Sequence, residues 1–317
     1  MNKQFLEDVD AGLSQKQKSL PSKYFYDKTG DELFMQIMNL PEYYLTRAEM
    51  EIFSQQTAQL IRSMDVDPET EFELIELGPG DGTKTRKLLE PLIEQGYQFD
   101  YLPIDISSNV LKHLQAELLT DMPELSVKPK QGDYFKKLGE FKDSHHPKVV
   151  LFLGSNIGNL KDRQASKFID SLGSNLCEGD KLVLGVDRIK PADVVLPAYD
   201  DEKGITSQFN LNLLHRINRE LGGNFKLEQF EHVAEYTEEE GVAKSFLQST
   251  CDQEVEISAC GKTYTFTQGE KIHTEISRKY NDDVMNDILS ETDFRVVDEL
   301  TDSNRFFIDY ILEVYSP

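Results

Sequence analysis

The chain has 317 residues, enough to bury a sizeable core in one large domain or in two interleaved ones. Hydrophobic residues make up 38% of it and charged residues 29%, a composition that excludes global disorder and a coiled coil. The formal net charge of −23 repels phosphate groups, and no Lys- or Arg-rich stripe offsets it, so neither nucleic acid nor a membrane is an expected partner.

The sequence also argues against a membrane span, secretion and a metal centre. No apolar run approaches the ~20 residues that cross a bilayer, and the start, MNKQFLEDVDAG, carries acids where a secretory signal carries bases. The three cysteines are widely spaced and form no CxxC pair, so they predict free thiols without a disulfide framework or metal site. We therefore expect a cytoplasmic protein.

The first part of the chain predicts helices and turns, because it is rich in Tyr and Phe and interrupted by Pro21, Gly30 and Pro41. From Glu71 the pattern changes to a β-rich run, FELIEL, followed by the loop GPGDGT, the helical segment TRKLLEPLIEQ and the strand-like FDYLPI. This order predicts a β-α-β unit.

The alternation of strands and helices continues along the chain. The next predicted elements are the helix SSNVLKHLQAELLT, the short strand LSVKPKQGDY, the buried strand KVVLFLG, the helix RQASKFIDSLGSNL and the strand KLVLGVD. Alternating elements of this kind predict a parallel, doubly wound α/β sheet. The tail, FRVVDELTDSNRFFIDYILEV, predicts two strands that return to that sheet.

Between Lys190 and Tyr280 the alternation of strands and helices stops, which predicts an inserted segment. It contains a helix, TSQFNLNLLHRINREL, and two segments of period two, EVEISACGKTYTFT and KIHTEISRKY. We predict a smaller α+β domain from residues 1–58 and 190–280. Residues 59–189 and 281–317 are then the doubly wound domain.

A glycine loop follows the first predicted strand and opens a helix. Gly78, Gly80 and Gly82 stand in GPGDGT after an acidic residue, and Asp105 ends the next strand. An acid about 20 residues after such a loop can reach ribose hydroxyls. A dinucleotide site needs the spacing G-x-G-x-x-G, so the G-x-G-x-G found here disfavours an NAD-dependent dehydrogenase.

This loop resembles motif I of class I, Rossmann-like methyltransferases. The resemblance implies S-adenosylmethionine as cofactor, with the glycine loop around its methionine moiety and Asp105 at the ribose. It further implies Asp133, with Tyr134, at the adenine, and Lys84 at the cofactor's carboxylate. The residues alone leave alternatives: a cluster of turn glycines, helix-capping acids and a solvated lysine.

Three further segments carry a more specific resemblance: LPSKYFYDKTGDELF with LPEYYLTRAE, LFLGSNIGNL, and AYDDEKGITSQFNLNLLHRINREL with KIHTEISRKY. Together they resemble the histidine-specific Nα-methyltransferase family of ergothioneine biosynthesis. The family implies methylation of the α-amine of a free amino acid, L-histidine, to its trimethylated betaine, hercynine. A small amino acid is then the expected partner, and we expect a monomer.

On matching positions, the family implies that Asn159 and Tyr199 bind the substrate carboxylate and that Glu275 and Ser277 bind the imidazole. Tyr26 is then the catalytic residue near the amine, and Tyr43 completes the pocket. Taken singly, Asn159 is equally typical of a turn or helix cap, and each tyrosine is more typical of a core aromatic.

The strand KIHTEISRKY supports the assignment independently. Residues two apart on a strand share a face, so we expect His273, Glu275 and Ser277 to project together, and a carboxylate beside a hydroxyl suits an imidazole. A polar strand face exposed to solvent would show the same pattern.

The family usually has a methionine where this chain has Ser245. That departure leaves open another aromatic amino acid as substrate, and a cofactor-binding protein without activity is the alternative from another class.

Overall fold

The computed structural model describes residues 3–142 and 144–315, so the outermost predicted domain bounds, residues 1 and 317, lie outside it. Its helices are α1 (Lys3–Leu13), α2 (Lys28–Met38), α3 (Tyr44–Gln55), α4 (Thr57–Met64), α5 (Thr83–Glu94), α6 (Ser108–Asp121), α7 (Tyr134–Leu138), α8 (Asp162–Gly173), α9 (Ala192–Val195), α10 (Ile205–Leu221) and α11 (Asp282–Leu289). Its strands are β1 (Phe72–Leu77), β2 (Phe99–Asp105), β3 (Ser126–Val127), β4 (Lys130–Gln131), β5 (Lys148–Phe152), β6 (Lys181–Asp187), β7 (Phe230–Glu235), β8 (Val242–Ser249), β9 (Gln253–Ile257), β10 (Lys262–Phe266), β11 (Lys271–Arg278), β12 (Phe294–Thr301) and β13 (Phe307–Val314). Within these described residues, none of the helices is long and apolar enough to cross a membrane.

The chain forms two compact units, each built from two stretches of sequence. One comprises Met1–Tyr44 and Lys190–Arg278, and we call it the meander unit. The other comprises Leu45–Ile189 and Lys279–Pro317, and we call it the sheet unit. The first boundary between the two units therefore falls after Tyr44. The sequence pattern predicts it at residue 58, which is too late in the chain.

The sheet unit contains a mixed sheet in the order β12-β13-β6-β5-β1-β2-β3, with β4 also paired to β2. Strands β1 to β6 pair in parallel, whereas β13 runs antiparallel between β6 and β12. Every residue of β5 and β6 is buried. Such continuous burial is typical of parallel strands covered on both faces by helices.

Residues 45–58 fall in the sheet unit, and two of their side chains make polar contacts within it. Glu49 of α3 is buried and accepts the backbone N–H of Gly154. Gln56, between the helices, donates from Nε2 to the carbonyl oxygen of Thr301 at 2.7 Å. The sequence reveals the helices but not these partners, which lie about 100 residues or more away in sequence.

The meander unit contains the antiparallel sheet β11-β8-β7 and the separate hairpin β9-β10. Its core is formed by apolar side chains of α1, α2, α10 and the strands, among them Phe5, Phe209, Leu213, Leu247 and Ile272. Helix α10 is followed by Gly222 in the left-handed conformation, which glycine adopts without strain. This unit therefore has a core of its own.

Candidate active site

Three sequence motifs meet at the carboxyl edge of the parallel strands in the sheet unit. The N–H of Gly78, just after β1, donates to the carbonyl of Ile104 on β2 at 2.9 Å. The N–H of Gly132, just after β4, donates to the carbonyl of Asp105, also at 2.9 Å. Ligands of open α/β sheets bind at this edge.

The glycine loop adopts a backbone that other residues rarely take. Gly78, Gly80 and Gly82 have φ values of +69°, +60° and +68°. A Cβ atom at Gly78 would lie 2.8 Å from the Tyr134 hydroxyl, and one at Gly82 would lie 2.4 Å from the Leu114 side chain. At Gly80 the space is open. The loop therefore needs glycine and leaves room beside Gly80 for another molecule.

Asp105 and Tyr134 are both affected by burial. Burial raises the pKa of the Asp105 carboxyl, although the backbone N–H groups of Ser107 and Ile106 donate to it. Burial and nearby carboxylates, Asp105 among them, raise the pKa of the Tyr134 hydroxyl to about 12. Ile106, beside Asp105, is 74% exposed. An under-solvated carboxylate beside exposed apolar surface suits a ligand that has hydroxyl donors and a flat ring.

Asp133 and Glu76 differ in environment although both are carboxylates of the motifs. Asp133 is exposed, and its side chain accepts the N–H of Lys136 in the first turn of α7. Glu76 is buried and accepts hydroxyl hydrogen bonds from Thr85 and Tyr101. Burial raises the pKa of Glu76 to about 7. Glu76 thus links β1 to α5 and β2, while Asp133 faces solvent.

Lys84 lies in the first turn of α5, where its ammonium contacts the carboxylate of Glu49. Both Glu49 oxygens also accept the N–H of Gly154, at 2.9 and 3.0 Å. Asp309 of β13 is fully buried nearby, and burial followed by the charge of Glu49 raises its pKa. A Cβ at Gly185 would come within 2.2 Å of Glu49, so glycine is needed there. Sequence reasoning missed Glu49, because a lone acid in an amphipathic helix resembles a surface residue.

Asn159 lies on the segment that follows β5, at the end of a short 3-10 helix, Asn156–Asn159. Ser155 precedes this helix with φ at +57°, and its hydroxyl oxygen accepts the N–H of Asp187 at 3.0 Å. The side chain of Asn159 is exposed at the same edge of the sheet. It is the predicted substrate residue that belongs to the sheet unit.

The predicted catalytic residue and the other predicted substrate residues belong to the meander unit, where Tyr26 and Tyr43 share an aromatic cluster. The Tyr26 ring is 43% exposed and packs edge-on against Phe34 and Phe209, with centroids 5.6 and 5.7 Å away. Tyr43 packs edge-on against Phe34 at 6.3 Å. Phe34 thus joins Tyr26 and Tyr43, the predicted catalytic residue and its neighbour.

The remaining predicted residues form polar contacts around β8 and β11. The Tyr199 hydroxyl donates to Ser277 Oγ at 2.8 Å, and the Ser245 hydroxyl donates to Glu275 Oε2 at 3.3 Å. Tyr199, Ser277 and Ser245 are buried, whereas Glu275 is half-buried. Ser245 therefore contacts the carboxylate that is predicted to bind the imidazole.

The prediction that His273 shares a face with Glu275 is wrong. Glu275 pairs with Ser245 on β8 and His273 pairs with the next residue, Phe246, so β11 contains a bulge at Thr274. Paired residues lie on the same face, and the His273 ring packs against Phe246 at 5.3 Å. Glu275 and Ser277 do share a face. The Thr274 hydroxyl stabilises the bulge by donating to the carbonyl of Ser245.

The sheet order, with one antiparallel strand among parallel ones, and the glycine loop at its carboxyl edge define the Rossmann-like fold of class I methyltransferases. The cofactor of this class is S-adenosylmethionine, as predicted.

The family model "Histidine-specific methyltransferase, SAM-dependent" matches residues 5–314. The chain belongs to that family, which confirms the resemblance seen in the motifs.

Curated relatives support the same membership. The chain is 36% identical to the histidine N-alpha-methyltransferase of Mycolicibacterium smegmatis, over 93% of this chain and 90% of the relative. It is 38% identical to the enzyme of the same name from Mycobacterium tuberculosis, over 86% of this chain and 83% of the relative. Ergothioneine biosynthesis protein 1 of Schizosaccharomyces pombe is 30% identical over 98% of this chain and 40% of its own length.

Proposed function

We propose that the protein transfers methyl groups from S-adenosylmethionine to the α-amine of L-histidine and forms the trimethylated betaine. The observation that carries the proposal is the polar face on β8 and β11, where Glu275, Ser277 and Ser245 lie with the Tyr199 hydroxyl. Membership of the histidine-specific family supports the same substrate. Cytoplasmic location and a monomeric state belong to the proposal as predictions from the sequence.

The residues at the sheet edge fit the cofactor. The open space at Gly80 accommodates the methionine moiety, and the under-solvated Asp105 carboxylate accepts the ribose hydroxyls. Exposed Ile106 and the Tyr134 ring offer apolar surface for the adenine, with Asp133 at its amine. Lys84 is the cation for the cofactor's carboxylate. When bound, S-adenosylmethionine supplies an electrophilic methyl group on a sulfonium sulfur.

The protein's own residues bind the amino acid at both ends. Asn159 provides an amide donor for the carboxylate. The Tyr199 hydroxyl, which donates its one proton to Ser277 in the free protein, turns that proton to the carboxylate when the substrate binds. Glu275 then accepts from one imidazole N–H, and Ser277 donates to the other ring nitrogen. Holding both ends fixes the amine between them, and positioning of this kind can supply a large part of a rate enhancement. The Tyr26 hydroxyl accepts a hydrogen bond from the amine and orients it, directly or through water, while the proton that the amine loses passes to solvent water. Tyr43 packs beside the imidazole ring.

Asp105→Ala is expected to weaken binding of S-adenosylhomocysteine. Loss of a hydrogen bond to a charged group costs about 1.5–3 kcal/mol, which corresponds to roughly 10- to 150-fold in Kd. Titration calorimetry measures the change, with Asp170→Ala, an exposed acid on α8, as the matched control. Wild-type affinity in Asp105→Ala would contradict the ribose assignment.

Asn159→Ala and Tyr199→Phe are each expected to raise the KM for histidine by roughly tenfold, because each removes a donor to the carboxylate. Steady-state kinetics with histidine and with its carboxamide measure the effect. The control is Tyr97→Phe, because the half-buried Tyr97 ring packs edge-on against Phe72 of β1 and has no role in the proposed site. If wild-type enzyme methylates both compounds equally well, the carboxylate role is wrong.

The substrate assignment is tested by competition among histidine, tryptophan, tyrosine and phenylalanine in one reaction. The proposal predicts that histidine is consumed first. Preference for any of the other three would overturn the histidine assignment and leave the methyltransferase assignment intact.

A further inference from the structure

His232 of β7 lies in a hydrogen-bonded chain inside the meander unit. Its Nε2 atom is 2.7 Å from the carbonyl oxygen of Tyr199, and its Nδ1 atom is 2.8 Å from Nδ2 of Asn210. The same Asn210 Nδ2 donates to the carbonyl of Phe246 at 3.1 Å. Asn210, on α10, is buried.

These contacts determine where the ring proton is. A backbone carbonyl only accepts, so the Phe246 carbonyl requires that Asn210 present its NH₂ group there. His232 Nδ1 must then accept from Asn210, and the ring proton resides on Nε2, from which it is donated to Tyr199. The carbonyls of Phe246 and Tyr199, at the two ends of this series of hydrogen bonds, thus fix one tautomer of His232.

Tyr199 is held at both ends by this arrangement. His232 donates to its carbonyl oxygen, and its own hydroxyl donates to Ser277. Just beyond it, Asp201 accepts the N–H groups of Ile205 and Thr206 and so caps α10. The segment between Tyr199 and α10 is thus hydrogen-bonded at both ends, by His232 at Tyr199 and by Asp201 at the start of α10. Of the two, His232 is the one that contacts Tyr199.

We infer that His232 is a positioning residue, which sets the orientation of Tyr199 for the substrate carboxylate through its Nε2–H bond to the Tyr199 carbonyl. The inference rests on the proposed role of Tyr199. It assigns a function to the motif FEHVAE and to Asn210 within FNLNLL, neither of which contacts the reacting groups in the proposed mechanism.

Two amide substitutions separate the two bonds of the ring. In His232→Gln the side-chain N–H lies about where Nε2 lies, so the donor to Tyr199 is retained. In His232→Asn, one methylene shorter, the amide oxygen takes the place of Nδ1, so the acceptor for Asn210 is retained and the donor to Tyr199 is lost. Exposed His215 of α10 offers the control His215→Asn.

The measurements are kcat and KM for histidine, the ratio of kcat/KM for histidine to that for its carboxamide, and the Kd of S-adenosylhomocysteine. We expect His232→Asn to raise the histidine KM about tenfold and to reduce the ratio by a similar factor, with kcat and Kd unchanged. His232→Gln and His215→Asn should resemble the wild type.

A role in stability alone would lower activity on both substrates equally and leave their ratio unchanged. A ratio in His232→Asn equal to the wild-type ratio would therefore overturn the inference. Should His232→Asn fail to fold, Asn210→Leu, which releases the ring from its other side, must lower the same ratio or the inference is wrong. A wild-type enzyme that does not distinguish the two substrates would instead refute the carboxylate role in the proposed function.

Discussion

Glu275→Ala is expected to lower kcat/KM for histidine roughly 5- to 150-fold. Its carboxylate lies half-buried on β11 and already accepts the Ser245 hydroxyl. In the proposed site, removing it leaves an imidazole N–H unpaired, which costs about 1–3 kcal/mol, and each 1.36 kcal/mol corresponds to tenfold in rate. Steady-state kinetics on histidine measure the loss.

The control for this variant is Glu254→Ala, an exposed acid on β9 of the same unit, which should behave as wild type. Binding of S-adenosylhomocysteine should persist in both variants. An apolar residue at position 275 should also improve relative activity on larger aromatic amino acids, because the pocket exchanges a carboxylate for a surface that suits an uncharged ring. Unchanged histidine turnover in Glu275→Ala would refute the imidazole assignment.

Asp187→Ala is expected to destabilise the protein by about 3–5 kcal/mol, the cost of leaving a buried charge without its partner. Asp187 ends β6, and its carboxylate lies 2.7 Å from the ammonium of Lys279, with both side chains 0% exposed. The backbone is paired at the same place, because the N–H of Tyr280, the residue after Lys279, donates to the carbonyl of Asp187. The ion pair thus joins the strand end to the segment that returns to the sheet unit. Equilibrium urea denaturation measures the free energy of unfolding.

Two further variants separate the buried ion pair from general sensitivity of the fold. Lys128→Ala removes a bridge to Asp100 whose lysine is 55% exposed, and should cost less than about 1 kcal/mol. Replacing both buried partners, as in Asp187→Leu with Lys279→Met, should recover most of the stability, since no unpaired charge then remains. If Asp187→Ala lowers the free energy of unfolding no more than Lys128→Ala does, the buried ion pair does not stabilise the fold.

The fold and the cofactor loop could be predicted because their signals are local. Closely spaced glycines between a strand and a helix indicate a loop with positive φ values, which glycine adopts without strain. The continuous apolar runs of β5 and β6 indicate buried parallel strands. The tail was correctly predicted as two strands, β12 and β13, joined by a polar turn.

The features that the sequence did not reveal depend on distant partners. The bulge at Thr274 arises from the pairing of β11 with β8, so alternation along β11 alone placed His273 on the wrong face. Glu49 and His232 each sit in an ordinary amphipathic or polar segment, and only the folded chain brings Gly154 to one and Tyr199 to the other. The segment LSVKPKQGDY was expected as one strand and forms two short ones, β3 and β4.

Mass spectrometry of histidine after incubation with the purified protein and S-adenosylmethionine tests the proposed methylation of the α-amine. The proposed function predicts products that carry one, two and finally three added methyl groups, with fragment ions that place every methyl on the α-nitrogen and leave the imidazole unmodified. Methylation of the ring, or no methylated histidine under conditions in which another amino acid is methylated, would contradict it.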